Sequence, residues 1–245
     1  MATTTSGFGY FFQGLSLISK PGVKRFVAIP LLINIIIFAV VIVVLDSYVS
    51  ELIKAYIPDD WYGWIKVLLK IIYYLIAFIA VFFTFSIVAN IVGAPFNGPL
   101  AAAVEKHITG ITPPGSDRNI MAEFTVIMLS EAKKWLYFLM LATPLGILTL
   151  VLFFIPVVNF IIPIIWFLFG AWMYSIEYSD YPMGNYGLTF SEIRREISKK
   201  RMMSMGFGSA VTLGTMTPLF NFIVMPVAVA GATAMRVEQF PISAK

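Results

Sequence analysis

The sequence has no cysteine and a single histidine, His107, among its 245 residues. The first absence excludes disulfides, thiolate catalysis and Cys-ligated metals. The second leaves His107 without a partner imidazole, so a surface role outweighs catalysis or metal binding there. Charge is scarce as well: 12% of residues are charged against 59% hydrophobic, a balance outside that of soluble domains. Residues 26–45, 71–104, 135–176 and 202–235 carry no Asp, Glu, Lys, Arg or His over 20, 34, 42 and 34 positions. Each run can reach into a hydrocarbon core about 30 Å thick. Walker-type loops, dinucleotide fingerprints and nucleophile elbows are missing too, so no enzyme and no cofactor is expected. The net charge of +4 resides on residues flanking apolar runs rather than on a basic stripe beside aromatics, so no nucleic-acid partner is expected either.

What is present reads as an all-α integral membrane protein forming one membrane domain over 1–245. Phe8, Phe11, Phe12, Leu15 and Ile18 recur at helical spacing opposite Gly9, Gln13 and Ser16, predicting an interfacial helix over 7–19. Ser19 as cap and Pro21 in the first turn predict a first span over 22–45. The basic residues Lys20, Lys24 and Arg25 ahead of it imitate a signal peptide. The apolar stretch is too long for one, and no small-x-small cleavage site follows Leu45. Trp61, Tyr62 and Trp64 beside Asp59 and Asp60 form an aromatic belt before a second long helix over 66–109. Within that helix, Ala94-Pro95-Phe96-Asn97-Gly98-Pro99 is expected to bend or break the chain. Thr109-Gly110-Ile111-Thr112-Pro113-Pro114-Gly115 is a loop, and Asp117 is placed to cap the next helix.

The last two apolar runs share a repeat, Pro-x-x-Asn-Phe-Ile, at Pro156, Asn159 and Phe160 and again at Pro218, Asn221 and Phe222. Around the second copy, residues 202–217 and 222–235 are about 24 and 21 Å long as helix, short of about 30 Å. Two re-entrant, partly penetrating hairpins are therefore predicted, one within a helix-plus-hairpin segment over 117–176 and one within 190–236. Irregular backbone at that depth requires cover by protein or by a water-filled cavity. Thr189 with Glu192 makes a capping box, and Glu192–Arg195 and Glu196–Lys200 pairs support a helix from 190 to 201 that continues into the membrane. With both hairpins returning to their side of entry, that side holds fourteen Lys and Arg and the other three, which puts both termini in the cytoplasm.

Three groups of residues carry candidate chemistry. At Lys20-Pro21-Gly22-Val23-Lys24-Arg25, a helix N-terminus, a glycine and two cations together suit an oxyanion, against the plainer reading of a topology anchor. At the hairpin turns, Asn159, Phe160, Asn221 and Phe222 would set helix N-termini towards mid-membrane, where half-helix dipoles serve anions; turn-making alone is the alternative. Glu105, His107, Glu177 and Asp180 stand at the edges of apolar runs as mouth or gate residues, with solvated interfacial charge as the blander reading. No ionisable residue lies inside the runs, whereas proton-coupled carriers commonly place relays there, so a pore fits better than a symporter. Met202, Met203 and Met205 read as gap-fillers at the membrane surface.

Four stretches carry a family resemblance: residues 14–31 (GLSLISKPGVKRFVAIPL), Ala94-Pro95-Phe96-Asn97-Gly98, residues 166–185 (WFLFGAWMYSIEYSDYPMGN) and residues 225–235 (MPVAVAGATAM). In order and spacing they resemble the CysZ-type sulfate permeases of bacteria, in the EI24-like membrane protein family. The resemblance implies sulfate uptake across the bacterial inner membrane for cysteine biosynthesis, two full spans with two partial hairpins, and homo-dimers or larger oligomers in the lipid bilayer. It also implies sulfate binding at a Gly-aliphatic-basic-basic motif, here Gly22, Val23, Lys24 and Arg25. Lys24 stands where the family pattern has arginine, which keeps the charge without the two-pronged grip of a guanidinium. Proton-coupled symport through Glu105 or Glu177 and a non-transporting membrane scaffold remain the alternatives.

Overall fold

A computed structural model describes residues 6–56, 63–115, 120–155, 158–217 and 220–241; Trp61, Tyr62, Asp59, Asp60, Asp117, Pro156 and Pro218 lie outside them. Among the described residues the chain is helical throughout, with no strand: α1 (Gly7–Leu17), α2 (Arg25–Tyr56), α3 (Gly63–Thr109), α4 (Ile120–Phe153), a 3₁₀ turn (Val158–Phe160), α5 (Ile161–Gly184), α6 (Phe190–Ser198), α7 (Arg201–Met216) and α8 (Asn221–Gln239). By length and composition, Arg25–Tyr48, Leu129–Phe153 and Ile161–Gly184 can each cross a membrane. The chain forms two compact units, Arg25–Phe96 and the remainder.

In the first of these, α2 displays Ile29, Leu32, Ile33, Ile35, Ile36 and the run from Val40 to Leu45 outward. Large aliphatic side chains on every face are what a helix in lipid requires, since hydrocarbon supplies no polar partner and no reason to segregate them. Near its far end Tyr74 of α3 donates to Asp46 Oδ1 at 2.7 Å, tying the two helices together. The Pro95–Pro99 stretch does not interrupt α3, whose helix continues to Thr109.

The other unit is a bundle around α8. α1 packs on α7 and α8, and α5 packs on the same pair. From Val227 to Arg236 α8 is buried at every position, which follows from its residue sizes: Val-Ala-Val-Ala-Gly-Ala-Thr-Ala lets neighbouring backbones close in on all sides. α5 and α7 touch most closely at Gly208, where a Cβ would sit 1.7 Å from the Ala171 carbonyl oxygen. α4, by contrast, turns Leu136, Leu139, Met140, Ile147 and Leu150 outward.

Expectations change at two helix boundaries. The helix expected from residue 22 begins at Arg25, because Gly22 takes a left-handed φ of +83° and residues 21–24 form a turn instead. The helix expected to run unbroken from 190 into the membrane stops at Ser198 and restarts at Arg201. The buried Ser204 hydroxyl donates to the Ile197 carbonyl at 2.8 Å, supplying a partner that the break would otherwise leave missing. The capping box forms as expected, with the Thr189 amide and hydroxyl both donating to Glu192 Oε2 at 2.8 Å. Glu196 pairs with Lys199 at 2.6 Å rather than with Lys200, which donates to Gln239.

Candidate functional site

The basic segment ahead of α2 is a built turn. The amides of Val23 and Lys24 both donate to the Lys20 carbonyl at 3.1 Å, so neither is free for a ligand. Val23 is fully buried while Lys24 and Arg25 are exposed, which pins the backbone and leaves the two cations at the surface. The open helix N–H groups therefore begin at Arg25 instead of at Gly22. Arg25 rests its guanidinium 4.7 Å over the Phe26 ring.

At the two hairpin turns the repeat takes different local forms. Asn159 and Phe160 sit in the 3₁₀ turn before α5; Phe160 is 82% exposed, and Asn159 Oδ1 is buried without a hydrogen-bond partner among the described residues. Asn221 opens α8 directly and Phe222 follows it, both half-buried. Phe220 beside them meets Phe11 of α1 edge-on at 5.9 Å, so α1 closes over this turn.

The four edge residues separate. His107 is exposed in the last turn of α3. Glu105, two residues earlier and so on the opposite face of the helix, is interior: it is ion-paired with Arg236 of α8 and accepts a short hydrogen bond from the Tyr186 hydroxyl. The side chains of Arg236 and Glu105 are only 4% and 3% exposed, so this is a desolvated pair rather than solvated interfacial charge. The Arg236 guanidinium also lies 4.5 Å over the Tyr186 ring and donates to its hydroxyl at 3.4 Å. Burial, and then its hydrogen bond to Glu105, raise the Tyr186 phenol above its ordinary range. Around the triad the Asn185 amide donates to the Gly98 carbonyl at 3.1 Å and Asn97 to the Met225 sulfur at 3.4 Å. α3, α5 and α8 thus meet along a polar seam.

Glu177 and Asp180, on α5, are brought together by Lys134 of α4. Its ammonium lies 2.8 Å from Asp180, 3.3 Å from Glu177 and 2.6 Å from Glu131. Three carboxylates thus share one buried cation. The cluster sits at the charged ends of two spans, one and a half helical turns inside Leu129 in the case of Lys134.

Lys134, Glu131, Tyr186 and Arg236 are functional candidates that the sequence reading passed over. Lys134 is the last charge before one uncharged run, and Arg236 the first after another. A cation abutting such a run is placed for burial as readily as for the membrane surface, and that position was the available signal.

The family profile described as Sulfate transporter CysZ/Etoposide-induced protein 2.4 matches residues 10–226, which takes in α1 to α7 and the opening of α8. The chain belongs to this family.

Proposed function

We propose that the protein is a sulfate permease that admits sulfate across the bacterial inner membrane to supply cysteine biosynthesis, acting as a channel-like homo-oligomer with both termini in the cytoplasm. The observation that carries this reading is the family match over residues 10–226. In this reading Lys24 and Arg25, exposed beside the Gly22 turn, concentrate the dianion at one mouth, with the first free amides of α2 behind them. The path beyond is polar and largely uncharged. Asn159, Phe160, Asn221 and Phe222 line its turns, and fixed dipoles and water replace the hydration that sulfate gives up.

The hairpins are read as partly penetrating. The uncharged part of α5, residues 161–176, is about 24 Å long, and α7 is about the same. Both are shorter than a hydrocarbon core of about 30 Å, although Ile161–Gly184 as a whole is long enough to cross one. Glu105 supports a pore over a symporter, because a carboxylate locked to Arg236 is poorly placed to carry a proton back and forth. His107, Glu177 and Asp180 are then mouth residues.

One observation favours the second reading, proton-coupled symport: the three carboxylates around Lys134 form a cluster able to share a proton. Purified protein in liposomes separates the readings. A channel passes radiolabelled sulfate down its own gradient and does not accumulate it against one when only a pH gradient is imposed. Uphill accumulation under a pH gradient would establish symport instead, and no flux at all would leave a scaffold.

A further inference from the structure

Where α6 lies against α4 and α5, a cavity of about 570 Å³ is lined by Arg194, Arg195 and Arg201 together with Ser191, Ser198, Glu192, Tyr137 and Trp172. Arg194 and Arg195 are consecutive on α6 and Arg201 opens α7, and all three reach the same lining across the α6–α7 break. Arg194 lies 4.8 Å over the Tyr137 ring, whose hydroxyl accepts from Trp172 Nε1 at 3.0 Å, so the aromatic wall is fixed and holds one guanidinium in place. Glu192 is the one carboxylate in the lining, and it is engaged at the start of α6 by the Thr189 amide and hydroxyl. None of the three arginines forms an ion pair among the described residues, although Glu196, Lys199 and Lys200 around them are all engaged.

We propose that this cavity is a binding site for a tetrahedral oxyanion, supplied by the phosphodiester of an anionic phospholipid headgroup. The chemistry is that of guanidinium forks with the Ser191 hydroxyl beside them, the Ser198 hydroxyl donating to the Arg194 carbonyl at 2.6 Å, and guanidinium forks match phosphate or sulfate geometry. Its size points to the headgroup, since a bare phosphate or sulfate would fill a small part of the space. Its surroundings point the same way. Trp135, Leu136, Leu139 and Met140, on the same helix as Tyr137, are exposed and give acyl chains an apolar surface on α4. The site is separate from Lys24 and Arg25 and does not depend on sulfate permeation.

The test uses the full-length protein in neutral detergent, with phosphatidylglycerol against phosphatidylcholine retained in native mass spectrometry, and radiolabelled sulfate binding in the absence of anionic lipid. Arg194→Gln with Arg201→Gln is expected to weaken phosphatidylglycerol binding by roughly fivefold for each guanidinium removed. Lys199→Gln removes a single charge at the end of α6, outside the cavity lining, and is expected to leave binding unchanged. Weakened sulfate binding with lipid binding intact would support the oxyanion site with a free anion as its source. Unchanged binding of both probes in the double variant, or an equal loss in Lys199→Gln, would overturn the site. Because the readout is binding in detergent, a failure of sulfate flux leaves this result unaffected.

Discussion

Removing either partner of the Glu105–Arg236 pair should be far more damaging than removing both. With side chains only 3% and 4% exposed, each charge has given up its hydration and has the other in return. Arg236→Met leaves the Glu105 carboxylate with the Tyr186 hydroxyl as its remaining partner, and Glu105→Leu leaves the buried guanidinium with the Tyr186 ring and hydroxyl but no counter-charge. Stranding a buried charge in this way costs about 3–5 kcal/mol, whereas replacing a buried pair by apolar residues of similar volume is often neutral. For a chain of this size about 2–4 °C of midpoint accompanies each kcal/mol. Each single variant should therefore melt roughly 6–20 °C below wild type, and Glu105→Leu with Arg236→Met should recover most of that difference. Tryptophan fluorescence of the detergent-solubilised protein during heating reads the midpoints. Single variants within about 3 °C of wild type, or a double variant no better than the worse single, would refute the desolvated pair.

Further outcomes follow from other contacts. Gly208→Leu places a Cβ 1.7 Å from the Ala171 carbonyl and must force α5 from α7, so the variant should lose its folded elution peak in size-exclusion chromatography while Ser209→Ala keeps it. Tyr10 donates to Glu238 and accepts from Gln239, both at 2.8 Å, and burial, offset in part by Gln239 and aided by Glu238, pushes its phenol up to about 12. Since the folded value lies above the ordinary 10, this stabilisation is complete below pH 10 and is lost as pH rises towards 12. Wild type should thus lose on the order of 1 kcal/mol more than Tyr10→Phe over that interval, read by denaturation at each pH. Lys134→Met leaves Glu131, Glu177 and Asp180 without their shared cation and should lower the melting midpoint, read by fluorescence during heating, more than Lys133→Met.

The helical architecture was legible because four uncharged runs in a chain of 59% hydrophobic residues leave few other structures available. In the structure residue size separates the outward-facing α2, rich in Ile, Leu and Val, from the small-residue α8 at the centre of its bundle, a distinction the sequence reading did not draw. Local geometry was harder to read. Phe190, Ile193, Ile197, Ser204, Gly208 and Val211 are all buried and keep helical spacing straight through Lys199 and Lys200, so periodicity alone conceals the break there. Pro21 argued for a helix start, but Gly22 at φ +83° places that start at Arg25. The charged interior was not legible in advance, because Glu105 and Arg236 are 131 positions apart and Lys134 and Asp180 are 46. No local pattern records such a pairing, and each residue taken alone looks like an ordinary interfacial charge.

The proposed permease stands on sulfate crossing a bilayer that contains nothing but this protein. Purified protein reconstituted in liposomes, loaded by an outward-to-inward gradient of radiolabelled sulfate, should fill the vesicles well above protein-free controls. Lys24→Ala with Arg25→Ala should lower the initial rate about thirtyfold at subsaturating sulfate, from about 1 kcal/mol of attraction lost at each exposed cation. Wild-type flux no greater than that of empty liposomes would contradict the account, and an undiminished rate in the double variant would remove Lys24 and Arg25 from the path.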